Sequence, residues 1–171
     1  IGYAGISECR NLTDLTLPEG LVSIGAMAFY ANDSLTALAL PASVRTIGAR
    51  AFSNCDKLQR MEIPEGVTEI GEHTFSWCEN LTEVILPDSI TSIANEAFLS
   101  CFKLESIDIP DSLTVISDST FSQCCSLKEV TVPNGVTSIG YSAFYNCTAL
   151  TSVSLPMTLE AIGDQAFGLC T

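Results

Sequence analysis

The placement of proline constrains the fold of this chain more than any other feature of its sequence. All seven prolines keep a constant interval of 23 residues, and they stand at Pro18, Pro41, Pro64, Pro87, Pro110, Pro133 and Pro156. Three further columns keep the same period, with phenylalanine from Phe29 to Phe167, isoleucine from Ile24 to Ile162 and leucine from Leu12 to Leu150. Because chance does not align four columns seven times, the chain is an array of internal repeats, which predicts a solenoid.

One repeat unit reads L-x-x-V-x-L-P-x-x-V-x-x-I-G-x-x-A-F-x-x-C, as in residues 127–147. The apolar side chains of Val130 and Val132 are two residues apart, which predicts a short β-strand with one buried face. Proline ends this strand because it has no N–H to donate, and the residues after proline predict a turn. After the bend at Gly140, the spacing within A-F-x-x-C predicts one or two turns of helix.

Stacking of these units determines the predicted fold, since a single unit cannot bury its apolar side alone. The inward Leu, Val, Ile, Phe and Cys columns would form one continuous core. The predicted class is α/β: a curved right-handed superhelix with a short-strand parallel sheet on the concave face and short helical turns on the convex face. Residues 1–171 are expected to form a single domain of about seven 23-residue repeats, cut mid-repeat at both ends.

The repeat unit resembles the BspA-type leucine-rich repeat, also called the Treponema pallidum type, over the whole chain. The resemblance lies in the L-x-x-V-x-L-P, V-x-x-I-G and A-F-x-x-C stretches. It implies a leucine-rich-repeat solenoid from a bacterial cell-surface or secreted protein, with roles in adhesion and host-protein binding and no catalytic residues. The departures from the pattern are small or isosteric replacements that leave the predicted fold intact: Asn32, Thr74, Ala94, Ser117 and Thr120.

Seven of the eight cysteines occupy one column of the repeat: Cys9, Cys55, Cys78, Cys101, Cys124, Cys147 and Cys170. No C-x-x-C pair occurs, so the usual zinc signature is missing. We predict a ladder of buried thiols that donate weakly to nearby carbonyl groups, with the amide of Asn32 filling the same hydrogen-bonding slot. Disulfides and a metal are the alternatives, although parallel Cβ vectors suit a disulfide poorly. Cys125 lies outside the column and is predicted to be more exposed and the most reactive.

The net charge of −13 is concentrated in the middle of the chain. Residues 1–60 carry five acidic and five basic side chains, whereas residues 61–120 carry twelve acidic side chains and one base, Lys103. This acidic segment repels phosphate backbones, so nucleic acid is not an expected partner. It favours a basic protein or cations, or it only keeps an apolar solenoid soluble. Calcium binding and ordinary turn chemistry are the two interpretations of the acids that follow proline, at Glu19, Glu65, Asp88 and Asp111.

No pattern in the sequence predicts an enzyme. His73 is the only histidine, and a general base needs a nucleophile beside it and a third group that orients it. Ser76 is close in sequence, but it belongs to no G-x-S-x-G elbow or other nucleophile motif. We therefore interpret His73 as a solvated surface side chain, and we expect no catalytic residue, cofactor or bound metal.

The outward-facing strand positions vary within an otherwise constant repeat, and this variation is the strongest functional signal. The predicted partner-binding residues on the concave face are Asp14, Arg60, Glu62, Glu83, Ile85, Asp108 and Glu129. Aromatic side chains at variable positions on the outer side form a second candidate surface, since aromatic residues are frequent in binding hot spots. These are Tyr30, Trp77, Phe102, Tyr141 and Tyr145. The alternative for the aromatic set is that it pads the core or shields neighbouring turns.

The sequence thus predicts an adhesin-like, protein-binding repeat module of a bacterial protein located at the cell surface or outside the cell. The expected partner is a protein such as a host matrix or surface protein, and end-to-end self-association is a further mode of contact. Direct membrane insertion is not expected, because no run of 18 apolar residues occurs. The alternative is a structural spacer or stalk segment with no ligand of its own.

Overall fold

A computed structural model describes all 171 residues, Ile1–Thr171. The chain forms a parallel β-solenoid of about six turns, in which each coil lies against the one before it. Every strand pair is parallel and joins residues 23 positions apart, as Ser23 pairs with Thr46 and Ile24 with Ile47. One sequence repeat therefore equals one coil.

The strands are short and fall into two sets by their position in the coil. Seven strands of two residues lie in the V-x-x-I stretch: β1 Ser23–Ile24, β2 Thr46–Ile47, β4 Glu69–Ile70, β6 Ser92–Ile93, β7 Val115–Ile116, β9 Ser138–Ile139 and β11 Ala161–Ile162. Four strands of three residues lie before proline: β3 Arg60–Glu62, β5 Glu83–Ile85, β8 Glu129–Thr131 and β10 Ser152–Ser154. We call the side of the solenoid built by this second set the long-strand face.

The long-strand face shows the alternation that the sequence predicted. In β3 the side chain of Met61 is buried while Arg60 and Glu62 are exposed, which confirms a strand with one buried face. β3 pairs with β5 and β8 pairs with β10. Between these pairs the backbone continues the ladder, because the N–H of Glu105 donates to the carbonyl of Thr82, and the N–H of Lys128 donates to the carbonyl of Glu105.

The two-residue strands form three small parallel sheets on a second side of the coil, which the sequence analysis did not predict. They pair in three separate groups: β1 with β2, β4 with β6, and β9 with both β7 and β11. The isoleucine points inward in most of them, as in β4, where Ile70 is buried and Glu69 is exposed. A strand of two residues is too short to show a period of two, so its sequence resembles an irregular bend.

The predicted helical turns on the convex side are wrong, and the fold is not α/β. The structure contains no helix, and the A-F-x-x-C stretch is a series of tight turns. Residues four positions apart, such as Arg50 and Asn54, take φ values of 58° and 59°. An α-helix requires negative φ at every residue, so these left-handed positions exclude it. The N–H groups instead reach the next coil, as Phe29 N–H donates to the carbonyl of Ala51 at 2.8 Å.

The phenylalanine column forms the centre of the core. Consecutive rings from Phe29 to Phe167 stack at centroid distances between 5.1 and 5.4 Å, with planes inclined by at most 14°. The rings from Phe29 to Phe144 are fully buried. Their continuity through the stack confirms the predicted continuous core of inward columns.

The cysteine column lies beside the phenylalanine column, and its hydrogen bonds confirm the predicted thiol ladder. Each thiol from Cys55 onward donates to the carbonyl oxygen of a phenylalanine in the preceding coil, as Cys78 Sγ does to Phe52 at 3.1 Å. Asn32 replaces the thiol as predicted, since its Nδ2 donates to the carbonyl of Ile6 at 2.8 Å. Its Oδ1 also accepts from the N–H of Cys9 at 2.9 Å.

Candidate functional site

Four of the predicted partner-binding residues lie side by side in the centre of the long-strand face. The strand register places Arg60 opposite Glu83, and Glu62 opposite Ile85. Arg60 Nε lies 2.7 Å from Glu83 Oε2, and Arg60 Nη2 lies 3.8 Å from Glu62 Oε2. These side chains are about half exposed, so the ion pairs stabilise the fold by little. They place the Arg60 guanidinium beside two carboxylates on this face.

The other three predicted residues lie along the same face but are not in contact with Arg60. Asp108 and Glu129 share a cavity of about 240 Å³. Asp14 lies near the first coil, in a separate cavity of about 320 Å³ that also contains Glu19. The seven residues therefore follow one face, and the structure joins them into a central group and two flanking cavities.

The cavities on this face lie in series next to the prolines, and together we call them the proline groove. Its largest part has a volume of about 440 Å³ and lies between the coils that contain Leu40, Ile63 and Leu86. Ala39 and Ala42 also line this part, and their small side chains leave it open. Smaller cavities extend the groove in both directions, one beside residues 14–19 and 37–41, and two beside residues 83–86, 106–111 and 129–133.

Leu40 and Leu86 are functional candidates that the sequence reasoning missed. Both stand directly before a proline, in the column that was assigned to the core, yet both are half-buried and line the groove. Ile63 and Ile109 occupy the same column and are buried. The signal that distinguishes Leu40 is the neighbouring run of alanines, since Ala37, Ala39 and Ala42 cannot cover it.

The proline groove is acidic throughout. Its carboxylates are those of Asp14, Glu19, Glu62, Glu65, Glu83, Asp108, Asp111 and Glu129, and no Lys, Arg or His side chain lines any of its four cavities. Six of these carboxylates, all except those of Glu62 and Glu83, form no ion pair. The groove thus presents uncompensated negative charge beside an apolar centre.

The aromatic residues of the second candidate surface do not form one patch. Trp77 contacts Phe102 edge to face, with ring centroids 6.2 Å apart and planes at 88°. Tyr30 and Trp77 line one shallow cavity with His73, and no cavity contains all five aromatic residues. Trp77 and Tyr141 are exposed, whereas Tyr30, Phe102 and Tyr145 are half-buried.

The sequence predicted a solvated His73, but the structure shows this side chain half-buried. Its Nδ1 lies 3.3 Å from Glu96 Oε2. The nearby hydroxyl of Ser76 donates to the backbone carbonyl of His73 at 3.1 Å and lies 3.0 Å from Ser53 Oγ. Ser76 is therefore engaged by the backbone and by another serine, and the structure contains no Ser76–imidazole hydrogen bond.

The thiols differ in burial and therefore in acidity. Burial raises the pKa of the Cys55 thiol to about 12, and it raises the pKa of Cys78, Cys101 and Cys124 as well. Cys125 is half-buried and more exposed than Cys55, Cys78, Cys101, Cys124 and Cys147, as predicted, but Cys170 of the same column is half-buried too and Cys9 is exposed. Because the thiolate is the reactive form, the central column is protected from oxidation and alkylation.

No group of three or more His, Cys, Asp or Glu side chains converges in a way that could hold a metal ion. No helix in the structure has the length and hydropathy that crossing a bilayer requires.

Parallel coils that repeat one sequence unit, with varied side chains confined to the outward positions, define a solenoid repeat protein. The family model for the BspA type leucine rich repeat region matches the chain in six copies, over residues 1–124 and 47–171. The chain belongs to this family, and it is a repeat module of it. Among curated protein sequences, none matches the chain at a significant level.

Solved structures of bacterial leucine-rich repeat proteins are similar to this chain. A protein from Bacteroides ovatus is 27% identical over 100% of the chain and 56% of its own length, with a TM-score of 0.80. The leucine rich repeat protein of T. pallidum is 32% identical over 67% of the chain and 64% of its own length, with a TM-score of 0.59. A leucine rich cell surface protein from Faecalibacterium prausnitzii is 27% identical over 99% of the chain and 60% of its own length, with a TM-score of 0.67. The chain thus spans between about half and two thirds of the length of these relatives.

Proposed function

We propose that this chain is an adhesin-like, protein-binding repeat module of a bacterial protein at the cell surface or outside the cell. The docking surface is the proline groove with the adjacent long-strand face. The observation that carries the proposal is the groove itself, where partly exposed apolar side chains lie in a series of adjoining cavities among acidic ones. Concave sites that combine apolar side chains with a few polar groups are typical of binding sites.

The rigidity of the solenoid supports the same function. Stacked phenylalanine rings and a ladder of hydrogen bonds hold each coil against the next, so the backbone positions that carry the side chains of the long-strand face are fixed relative to one another. A preorganised surface loses little conformational entropy on binding. The similarity to a protein described as a leucine rich cell surface protein supports a surface location, and a host matrix or surface protein is the partner that we propose.

A direct test measures binding of the chain to immobilised purified extracellular-matrix proteins, including laminin and collagen. The groove variant combines Arg60→Ala, Glu62→Ala, Glu83→Ala and Asp108→Ala. The control variant combines Lys57→Ala, Glu72→Ala, Glu79→Ala and Glu160→Ala, which makes the same change in net charge at exposed positions outside the groove. We expect the groove variant to lose binding and the control variant to retain it.

A structural spacer is the competing function, and the same experiment separates the two. A spacer binds none of the immobilised proteins, whereas a binding module that uses another surface responds equally to both variants. Either result would contradict the proline groove as a docking site. Circular dichroism and thermal unfolding of each variant establish that the fold is unchanged, since all eight substitutions are at exposed residues.

A further inference from the structure

The chemistry of the proline groove specifies the kind of partner that it fits. We infer that the groove binds an extended polypeptide segment in which one apolar side chain is followed, about three residues later, by basic side chains. This inference rests on the proposed function and narrows it to a class of ligand. It follows from three features of the groove: its apolar centre, its uncompensated charge and the spacing between the two.

The apolar centre accommodates one side chain of a partner. Leu40 and Leu86 are half-buried, and Ile85 is 38% exposed, so apolar atoms of all three remain in contact with water. The cavity that they line has a volume of about 440 Å³, and Ala39 and Ile63 complete its walls. Water released from this surface favours occupation by an aliphatic or aromatic side chain.

The charge around this centre selects basic neighbours. Glu62 and Glu65 stand at the rim of the apolar cavity, and Asp108, Asp111 and Glu129 surround the cavity next along the groove. No basic side chain lines either cavity, and Arg60 on the adjacent strand is paired with Glu83 at 2.7 Å. An arginine or lysine on the partner therefore meets free carboxylates with no opposing cation, and charge complementarity of this kind determines register and specificity.

The spacing determines the conformation of the partner. Ile85 belongs to the coil that precedes Asp108 and lies two coils before Glu129. Neighbouring strands of a sheet are about 4.8 Å apart, so the apolar and acidic cavities are separated by roughly 5–10 Å, which about two or three extended residues span. Each cavity accepts single side chains, whereas a helix with its side chains is about 10 Å across. An extended segment that runs across the strands fits this geometry.

Synthetic peptides test the inference directly. The probe is a fluorescein-labelled peptide of about ten residues in a serine and threonine background, with one leucine and two arginines beginning three positions after it. One control peptide has serine in place of leucine, a second has glutamate in place of both arginines, and a third moves the arginines to twice the distance. Fluorescence anisotropy at low salt measures the affinity of each peptide for the full chain.

Two variants of the chain separate the apolar and the charged contributions. Ile85→Ser should weaken binding of the leucine–arginine peptide by about tenfold and leave the serine peptide unaffected. Asp108→Asn, Asp111→Asn and Glu129→Gln together should weaken it by about tenfold and reduce its dependence on salt. Glu72→Gln, Glu79→Gln and Glu160→Gln form the matched control, because they remove the same charge outside the groove.

The outcomes distinguish this inference from the proposed function. If the leucine–arginine peptide binds no better than its glutamate counterpart, or if both variants bind it like the wild type, the inference is wrong. In that case, loss of matrix-protein binding in the variant with alanine at Arg60, Glu62, Glu83 and Asp108 would still support the proposed function. If substitutions in the groove change the binding of neither matrix proteins nor peptides, both proposals are wrong.

Discussion

Non-glycine residues with a positive backbone φ are the most unusual feature of this chain at the scale of single residues. Sixteen residues take this conformation, and none of them is glycine. Each costs about 1–2 kcal/mol relative to a right-handed conformation. Bonds between coils offset this cost, as the N–H of Arg50 donates to the carbonyl of Glu72 and the N–H of Asn54 donates to that of Ser76, both at 2.9 Å. None of the sixteen is β-branched, as the steric cost at Cβ requires.

Ser100 combines this backbone cost with an unsatisfied hydroxyl. Its φ is 60°, it is fully buried and its Oγ has no hydrogen-bond partner. Ser100→Gly removes both costs but adds conformational entropy to the unfolded chain, so we expect a net gain of about 1 kcal/mol in the free energy of unfolding. Urea denaturation measures this change.

The matched control for Ser100 is Ser53→Ala. Ser53 is buried, has no positive φ, and its hydroxyl contacts Ser76 Oγ and accepts from Asn54 Nδ2, each at 3.0 Å. We expect this substitution to lower the free energy of unfolding by about 1 kcal/mol. Destabilisation by Ser100→Gly would mean that its hydroxyl has a structural role that the geometry does not reveal.

The thiol column predicts a loss of stability in alkaline solution. Burial raises the pKa of Cys55 and of Cys147 from 9.0 to about 12. The protonated thiol is therefore favoured in the folded state, and its contribution is complete below pH 9 and is lost between pH 9 and about 12. The free energy of unfolding should fall in this range by roughly 1.4 kcal/mol per pH unit for each buried thiol.

Urea unfolding at a series of pH values above 8 measures this slope. Cys101→Ala removes one buried thiol, so its slope should be smaller than that of the wild type by one thiol's contribution. A slope that is the same in both proteins would show that other groups cause the alkaline loss.

At the scale of structural elements, the sequence predicted the strand before proline and missed the rest of the coil. Alternation over Val130 and Val132 identified that strand, because its length is enough to show a period of two. The two-residue strands gave no such signal. Apolar residues at i, i+1 and i+4 suit a helix, but they suit tight turns of four residues equally well. Only contacts with the neighbouring coil select the turns, and a single unit does not contain that information.

The glycine column gives a prediction about how closely the coils approach. A Cβ on Gly48 would overlap the backbone nitrogen of Ala26 and lie 2.7 Å from the carbonyl carbon of Gly25. Gly71 stands in the same column, and its Cβ would meet no atom closer than 3.3 Å. We expect Gly48→Ala to lower the free energy of unfolding by about 1–3 kcal/mol and Gly71→Ala to lower it by less. Thermal denaturation of both variants compares them.

Ala94 occupies the next position in this column. An alanine therefore fits this column where the preceding coil leaves space for its Cβ. Equal destabilisation by the two substitutions would contradict a steric cause. It would indicate instead that glycine is needed in this column for its backbone freedom.

At the scale of the whole molecule, the repeat period was sufficient to predict a stack of coils with a shared core. The candidate site was predictable in part, since outward strand positions identified the long-strand face. The apolar centre of the proline groove was predictable only in part: small alanines flank Leu40, whereas nothing in the sequence distinguishes Leu86 from the buried residues of its column. Their exposure depends on the size of side chains in the adjacent coils, and the contact between coils is a property of the assembled solenoid.

Deletion of one complete coil tests whether stability is the sum of local contacts. Removing residues 49–71 joins Gly48 to Glu72 and preserves every column. We expect this protein to unfold cooperatively, with a lower free energy of unfolding and a smaller denaturant m-value, because it buries less surface. Removing residues 49–68 shifts all later columns by three positions and should abolish cooperative unfolding. Similar behaviour of the two deletions would contradict the stacked architecture.

The bonds between coils also determine how the protein responds to tension. Nearly all long-range hydrogen bonds join a residue to the coil immediately before or after it, about 23 positions away. A force that pulls the two ends apart therefore detaches one coil without disturbing those further along. Each detached coil releases a chain length on the order of 80 Å. In an optical trap the extension should grow in equal steps of about this size. The chain would therefore unfold one coil at a time, whereas a globular domain unfolds in a single step.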